Sequence, residues 1–258
     1  MSESRISFRP ETFYDTGGVV FSSFTVAVVT TAIGWYFVQG AIWQPYHLVA
    51  SVMSFLALAT LINFLWILQP DSSRFGEANQ ATLLRSGLVC LIGSALLAGG
   101  TGPEIGWHLA GLIAVALALD GVDGYLARRL NLASEFGARF DMEIDALLLL
   151  ILSLLVWQTG QAGIWVLAIG LMRYAFVAAS WFYESLTAPL RPSMRRKTVC
   201  ALQGIALLAC LLPPLDETGS SVIALTALVA LVVSFAIDIW ALLRDPSPVQ
   251  TIKEGSET

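Results

Sequence analysis

Eight apolar stretches decide what this chain can become. They run near residues 18–38, 47–69, 82–99, 105–126, 140–158, 162–185, 198–214 and 220–243. Each is long enough, or nearly so, to cross a hydrocarbon core of about 30 Å as a helix. The chain therefore reads as an all-α integral membrane protein of eight spans. Charge supports this: only 13% of the 258 residues are charged and 56% are hydrophobic, whereas a soluble domain carries about 25% charged residues. A net charge of −5 leaves no basic stripe for nucleic acid. Cys90, Cys200 and Cys210 all fall inside apolar runs and read as small core residues, not as a disulfide framework or a metal site.

The basic residues orient the spans. The loops near 39–46, 100–104, 159–161 and 215–219 hold no Lys or Arg, while the alternate side collects thirteen of the fourteen. Cytoplasmic loops carry the excess of Lys and Arg, so both termini are expected in the cytosol, with the protein in the inner membrane or an equivalent one. Trp35, Trp43, Trp107, Trp157 and Trp165 gather near the opposite interface, as an aromatic belt does. The segment before the first span mixes Arg5 and Arg9 with Glu3, Glu11 and Asp15. That is a poor signal-peptide leader, so the first helix is expected to be retained. A polar stretch at 69–80 with Pro70 and Gly76 divides the chain. The expected parts are a two-helix leader (1–70), a six-helix unit (71–243) and a polar tail (244–258).

The informative segment starts at Asp120-Gly-Val-Asp-Gly-Tyr-Leu-Ala-Arg128 and continues through Gly137 to Asp141 and Asp145. Asp120 and Asp123 are three apart near the end of one helix; Asp141 and Asp145 are four apart at the start of the next. Each spacing puts its pair on one helical face, so opposed faces bring four carboxylates to the cytosolic rim. Like charges that close repel, and divalent cations resolve the repulsion. All-oxygen ligands favour hard ions such as Mg²⁺, Mn²⁺ or Ca²⁺ over zinc, and paired ions near phosphate neutralise the charge that develops on transfer. Gly121, Gly124, Ala127 and Gly137 clear side chains from around the acids. Arg128 offers a planar fork for phosphate oxygens. Ordinary helix-end charges are the bland reading, but acids within spans are costly and usually functional.

The pattern D-x2-D-G-x2-A-R-x8-G-x3-D-x3-D, met at Asp120, Asp123, Gly124, Ala127, Arg128, Gly137, Asp141 and Asp145, arises by chance at fewer than roughly one in 10⁹ starting sites. With it the chain resembles the CDP-alcohol phosphotransferases, integral membrane enzymes of phospholipid synthesis. Asn79-Gln-Ala-Thr82-Leu-Leu-Arg85 looks like the amphipathic lead-in to the family's first core helix, and the two leading helices are expected to lie outside the resemblance. The resemblance implies two metal ions, Mg²⁺ or Mn²⁺, one on Asp120, Asp123 and Asp141 and the other on Asp120, Asp141 and Asp145. It makes Asp145 the general base as well. Gly124, Arg128 and Ser134 fall at positions that contact the CDP part of the donor.

Other residues keep two readings. Arg173 lies mid-span, where an unpaired cation costs at least about 2.5 kcal/mol; it is either paired with a carboxylate inside the bundle or part of an anion site. The basic loop of Arg191, Arg195, Arg196 and Lys197 serves topology and anionic lipids or a charged acceptor, for which Arg139 is the better candidate. Glu143 points away from the acids, and His47 and His108 lie near the outer interface, remote from them. Family members that use phosphorylated polyols often place Lys or Arg after the fourth acid, where this chain has Ala146.

The expected activity is transfer of a phosphatidyl group from CDP-diacylglycerol to a small alcohol, with a lean towards a phosphorylated polyol such as glycerol 3-phosphate or inositol phosphate, releasing CMP. The rival enzyme reading has CDP-choline or CDP-ethanolamine as donor and diacylglycerol as acceptor. A non-enzyme reading is an ion-coupled carrier, whose acids would sit at the bilayer midplane. Membrane lipids are the expected surroundings; oligomeric state is open, a homodimer being one arrangement. Residues 1–70 hold no motif acid and are expected to be dispensable for the chemistry.

Overall fold

The computed structural model describes residues 11–40, 42–67, 77–98, 103–130, 135–183 and 194–244. Among these there are eight α-helices and no strand: α1 (Glu11–Gln39), α2 (Pro45–Ile67), α3 (Glu77–Ser94), α4 (Pro103–Leu130), α5 (Glu135–Gln158), α6 (Leu167–Ser180), α7 (Met194–Cys210) and α8 (Glu217–Arg244). Short 3₁₀ turns extend α3 and precede α6. Four helices are long and apolar enough to cross a bilayer, over Gly17–Gln39, Pro45–Ile67, Asn79–Leu97 and Glu217–Trp240. Shorter apolar helices cover Gly106–Gly121 and Ile164–Ser180. The apolar part of α4 stops where Asp120 begins the acidic segment, while its helix runs on to Leu130.

The chain forms two compact units, residues 1–151 and 152–258, and the division falls within α5. In the first unit α1 and α2 pack on each other and both pack on α3, which also packs on α4. Most side chains of α3 from Thr82 to Ala95 are buried, including Leu83, Val89, Leu91 and Ile92. A helix covered on all sides is the centre of its unit. The outer faces of α1 and α2 expose Phe21, Phe24, Met53 and Phe64, a breadth of apolar surface that a water-soluble monomer does not carry. Polar glue holds the two helices together, with Asn63 Nδ2 donating to Ser23 Oγ at 3.2 Å.

Close approach of α1 to α3 depends on one glycine. A Cβ at Gly87 would lie 2.5 Å from Thr30 Oγ1 and 2.9 Å from Val26 Cγ1. Small residues at helix contacts let backbones come near in this way. At the far end of α1, Phe37 stacks on Trp43 at 5.0 Å. His47 accepts from the Gln44 backbone N–H at 3.1 Å, and His108 meets Phe37 edge-on at 5.8 Å.

The second unit is organised around α8, against which α6 and α7 pack. Gln203 Nε2 donates to the Ala227 carbonyl at 2.9 Å. Asp216 caps the start of α8 by accepting from Gly219 N–H at 3.2 Å. Arg195 on α7 donates to the Ser234 carbonyl at 2.7 Å and to Asp238 Oδ1 at 2.5 Å, and Arg196 stands 3.9 Å from Asp238 Oδ2. Two residues of the predicted basic loop are thus helical and tied to an acid of α8. Asp238 gives little sequence signal because it sits near the end of an otherwise apolar run.

Candidate active site

Three helices of the first unit meet at a charged cluster. Asp120 comes from α4. Asp141 and Asp145 come from α5, one turn apart and so on one face. One oxygen of each lies within 4.8 Å of the others. Between them stands Arg85 of α3: Nη1 is 2.7 Å from Asp120 Oδ1, and Nη2 is 2.6 Å from Asp141 Oδ1 and 2.9 Å from Asp145 Oδ1. The arginine side chain is 0% exposed, against 37%, 38% and 27% for the three acids. The cluster is therefore sealed on the α3 side and open beyond the carboxylates.

The donor set fits a hard cation. Two ligand oxygens on opposite sides of one ion are separated by twice the metal–oxygen distance, about 4.2 Å for Mg²⁺ and about 4.6–5.2 Å for Ca²⁺. The three carboxylate oxygens lie within 4.8 Å of one another, close enough for one hard ion to bridge after a small side-chain movement, and oxygen-only ligands disfavour zinc.

The sequence model of the CDP-alcohol phosphatidyltransferases matches residues 47–240, well over half of the chain. The chain belongs to the CDP-alcohol phosphatidyltransferase family. No curated protein and no solved structure matches it. The family is an enzyme class acting on a CDP-alcohol and an alcohol acceptor, and its members generally use a divalent metal. The matched segment begins at His47, so it takes in α2, a helix expected from the sequence to lie outside the family resemblance.

Of the four motif acids, Asp120, Asp141 and Asp145 are brought together. Asp123, Gly124 and Arg128 lie on α4, but their side chains are outside the described residues, as are Ser134 and Arg191 altogether. Arg139 and Glu143 are exposed on α5. Arg173 is half-buried on α6, in the second unit. His108 stands twelve residues before Asp120 on α4, about 18 Å along the helix at 1.5 Å per residue. His47 is buried beside Trp43 and Tyr46. Cys90 and Cys210 are buried and none of the three cysteines forms a disulfide.

Sequence reasoning missed Arg85. The sequence ranks it only with the basic residues of the cytosolic side and the amphipathic lead-in; it lies within α3 and is wholly buried. The signal was present: Asn79, Thr82 and Arg85 follow one another at intervals of three, which aligns them along one face, and all three are buried.

Proposed function

We propose that this family member is a membrane-embedded phosphatidyltransferase that uses CDP-diacylglycerol and a small, water-soluble alcohol, with a phosphorylated polyol as the favoured acceptor. The observation that carries the reading is the convergence of three acids of the family pattern on one cluster that is open on one side. Asp120, Asp141 and Asp145, joined by Asp123, would hold two divalent ions. Bound there, Mg²⁺ or Mn²⁺ supplies charge neutralisation for the diphosphate and for the departing CMP. Asp145 accepts the proton from the acceptor hydroxyl. The hydroxyl oxygen bonds to the phosphorus bearing the lipid, the bridging P–O bond breaks, and CMP leaves with the bridging oxygen. Gly124, Arg128 and Ser134 serve the CDP moiety, with Arg128 gripping phosphate through its fork. Arg139 and Arg173 are the candidates for the acceptor's negative charge.

Eight spans, both termini in the cytosol and the acids at the cytosolic rim complete the reading. Its supports are the one-sided distribution of Lys and Arg and the apolar helices already described. Residues 71–243 form the catalytic unit in this arrangement, 1–70 a leader and 244–258 a tail. The test is CMP release by purified protein in mixed micelles with Mg²⁺ or Mn²⁺, across a panel of CDP-linked donors and alcohols. CDP-diacylglycerol with glycerol 3-phosphate or inositol phosphate is expected to be the productive pair. Efficient use of CDP-choline or CDP-ethanolamine with diacylglycerol would reverse the donor assignment, and no CMP from any pair would overturn the reading.

A further inference from the structure

Arg85 spends its charge on the same three carboxylates that suit a divalent cation. It reaches one oxygen of each, Oδ1 of Asp120, Asp141 and Asp145, and leaves the second oxygen of each uncommitted to it. Its Nε–H is buried with no partner among the described residues. A structural arginine satisfies its donors; this one leaves one unmet, which costs free energy, so attraction to the acids sets its position. Guanidinium keeps its proton throughout the accessible pH range, so this charge cannot be titrated away. Three carboxylates and one guanidinium sum to −2, which one divalent cation balances.

We propose that Arg85 is a positioning residue and internal counter-ion: it keeps the three carboxylates together before a cation arrives, and it lowers the cation affinity of the resting site by sharing them. The diphosphate of the donor then contributes the negative charge that lets the site hold its cations firmly. Metal loading and donor binding are coupled through this one residue. The inference rests on the metal reading given above.

Full-length protein in detergent would be compared with Arg85→Gln and Arg85→Lys. Melting would be followed in chelator, and Mn²⁺ binding by electron paramagnetic resonance with and without CDP. Arg85→Gln is expected to melt several degrees lower in chelator, to bind Mn²⁺ at least tenfold more tightly without CDP, and to gain less Mn²⁺ affinity from added CDP. Arg85→Lys, which keeps a point charge, should lie nearer to wild type in all three. Absence of any of these changes in Arg85→Gln overturns the proposal, and so does weaker Mn²⁺ binding. Should Arg85→Gln not be recovered folded even with Mn²⁺, the charge-compensated Arg85→Gln/Asp145→Asn protein is expected to be recovered, and its loss as well would overturn the idea. Wild-type protein that binds no Mn²⁺ refutes the metal reading and this inference with it. Normal wild-type binding beside an unchanged Arg85→Gln refutes the inference alone.

Discussion

Gly87 offers a test of how the first unit is assembled, because one methyl group there has two opposed effects. Alanine in a helix interior is favoured over glycine by about 1 kcal/mol. Against that, the new Cβ would stand 2.5 Å from Thr30 Oγ1 and 2.9 Å from Val26 Cγ1, where ordinary contact needs about 3.5 Å or more. Thr30 and Val26 are β-branched and stiff on α1, so these contacts must open by about 0.6–1.0 Å. Overpacking of this kind costs about 1–3 kcal/mol. The net expectation for Gly87→Ala is a loss of about 1 kcal/mol. In a Val26→Ala/Thr30→Ala background both obstructing atoms are gone, and the same substitution should stabilise by about 1 kcal/mol. A reversal of sign is a demanding outcome. It would be measured by equilibrium unfolding in mixed micelles as a thermodynamic cycle. Gly87 lies two residues, roughly 200°, around α3 from Arg85, so α1 packs on the side of the helix away from the acids. Turnover per folded molecule should therefore stay within about twofold of wild type. An effect of the same sign in both backgrounds would show that α1 does not approach α3 as described.

Other substitutions separate the proposed roles of the acids and arginines. Asp123→Asn and Asp141→Asn should abolish CMP release from an inserted, extractable protein, since an amide is a weak ligand for a hard cation; near-normal release from both would remove the two-ion reading. Asp145→Asn should keep appreciable donor binding and stop turnover, because the amide accepts no proton; equal losses of both would make Asp145 mainly a ligand. A chain starting near Asp71 should still release CMP but melt at lower temperature, having lost Val26, Thr30 and the edge-on contact of Trp66 with Phe136 at 5.1 Å; a folded, donor-binding but inactive product would contradict this. Arg173→Gln should raise the acceptor KM several-fold with donor binding nearly intact, and efficient use of an unphosphorylated alcohol such as serine by the wild-type protein would refute the role given to Arg173.

Much of the architecture was legible because apolar runs have few alternatives. Each of the eight expected segments overlaps a helix, four of the described helices are long and apolar enough to cross a bilayer, and the i, i+4 spacing of Asp141 and Asp145 matches their place in one cluster. Helix ends were less legible. Hydropathy falls where Asp120 begins, yet backbone hydrogen bonding carries α4 on to Leu130, since a helix leaving an apolar layer has no reason to unwind at its edge. The same effect hid Arg85. A charge beside polar residues reads as a rim residue, whereas its burial depends on three carboxylates that lie 35 to 60 positions further on and reach it through the fold. Asp238 was lost for the complementary reason: its partners Arg195 and Arg196 sit forty or so residues earlier, and single-chain periodicity does not register a pair at that distance.

The unequal exposure of the cluster bears on where specificity arises. Arg85 is fully enclosed while the acids it touches remain about a third open, so α3 forms a floor and anything that reacts arrives from the other side. A floor of this kind can order carboxylates, but Arg85 lies wholly buried beneath them and does not itself meet an acceptor. Discrimination has to come from side chains on the open side. Arg139 is an exposed cation two residues before Asp141 on α5, and Ala146, directly after Asp145, contributes no charge there. If the acceptor is anionic as proposed, its recognition would fall to arginines such as Arg139, and family membership alone identifies the chemistry more closely than the alcohol.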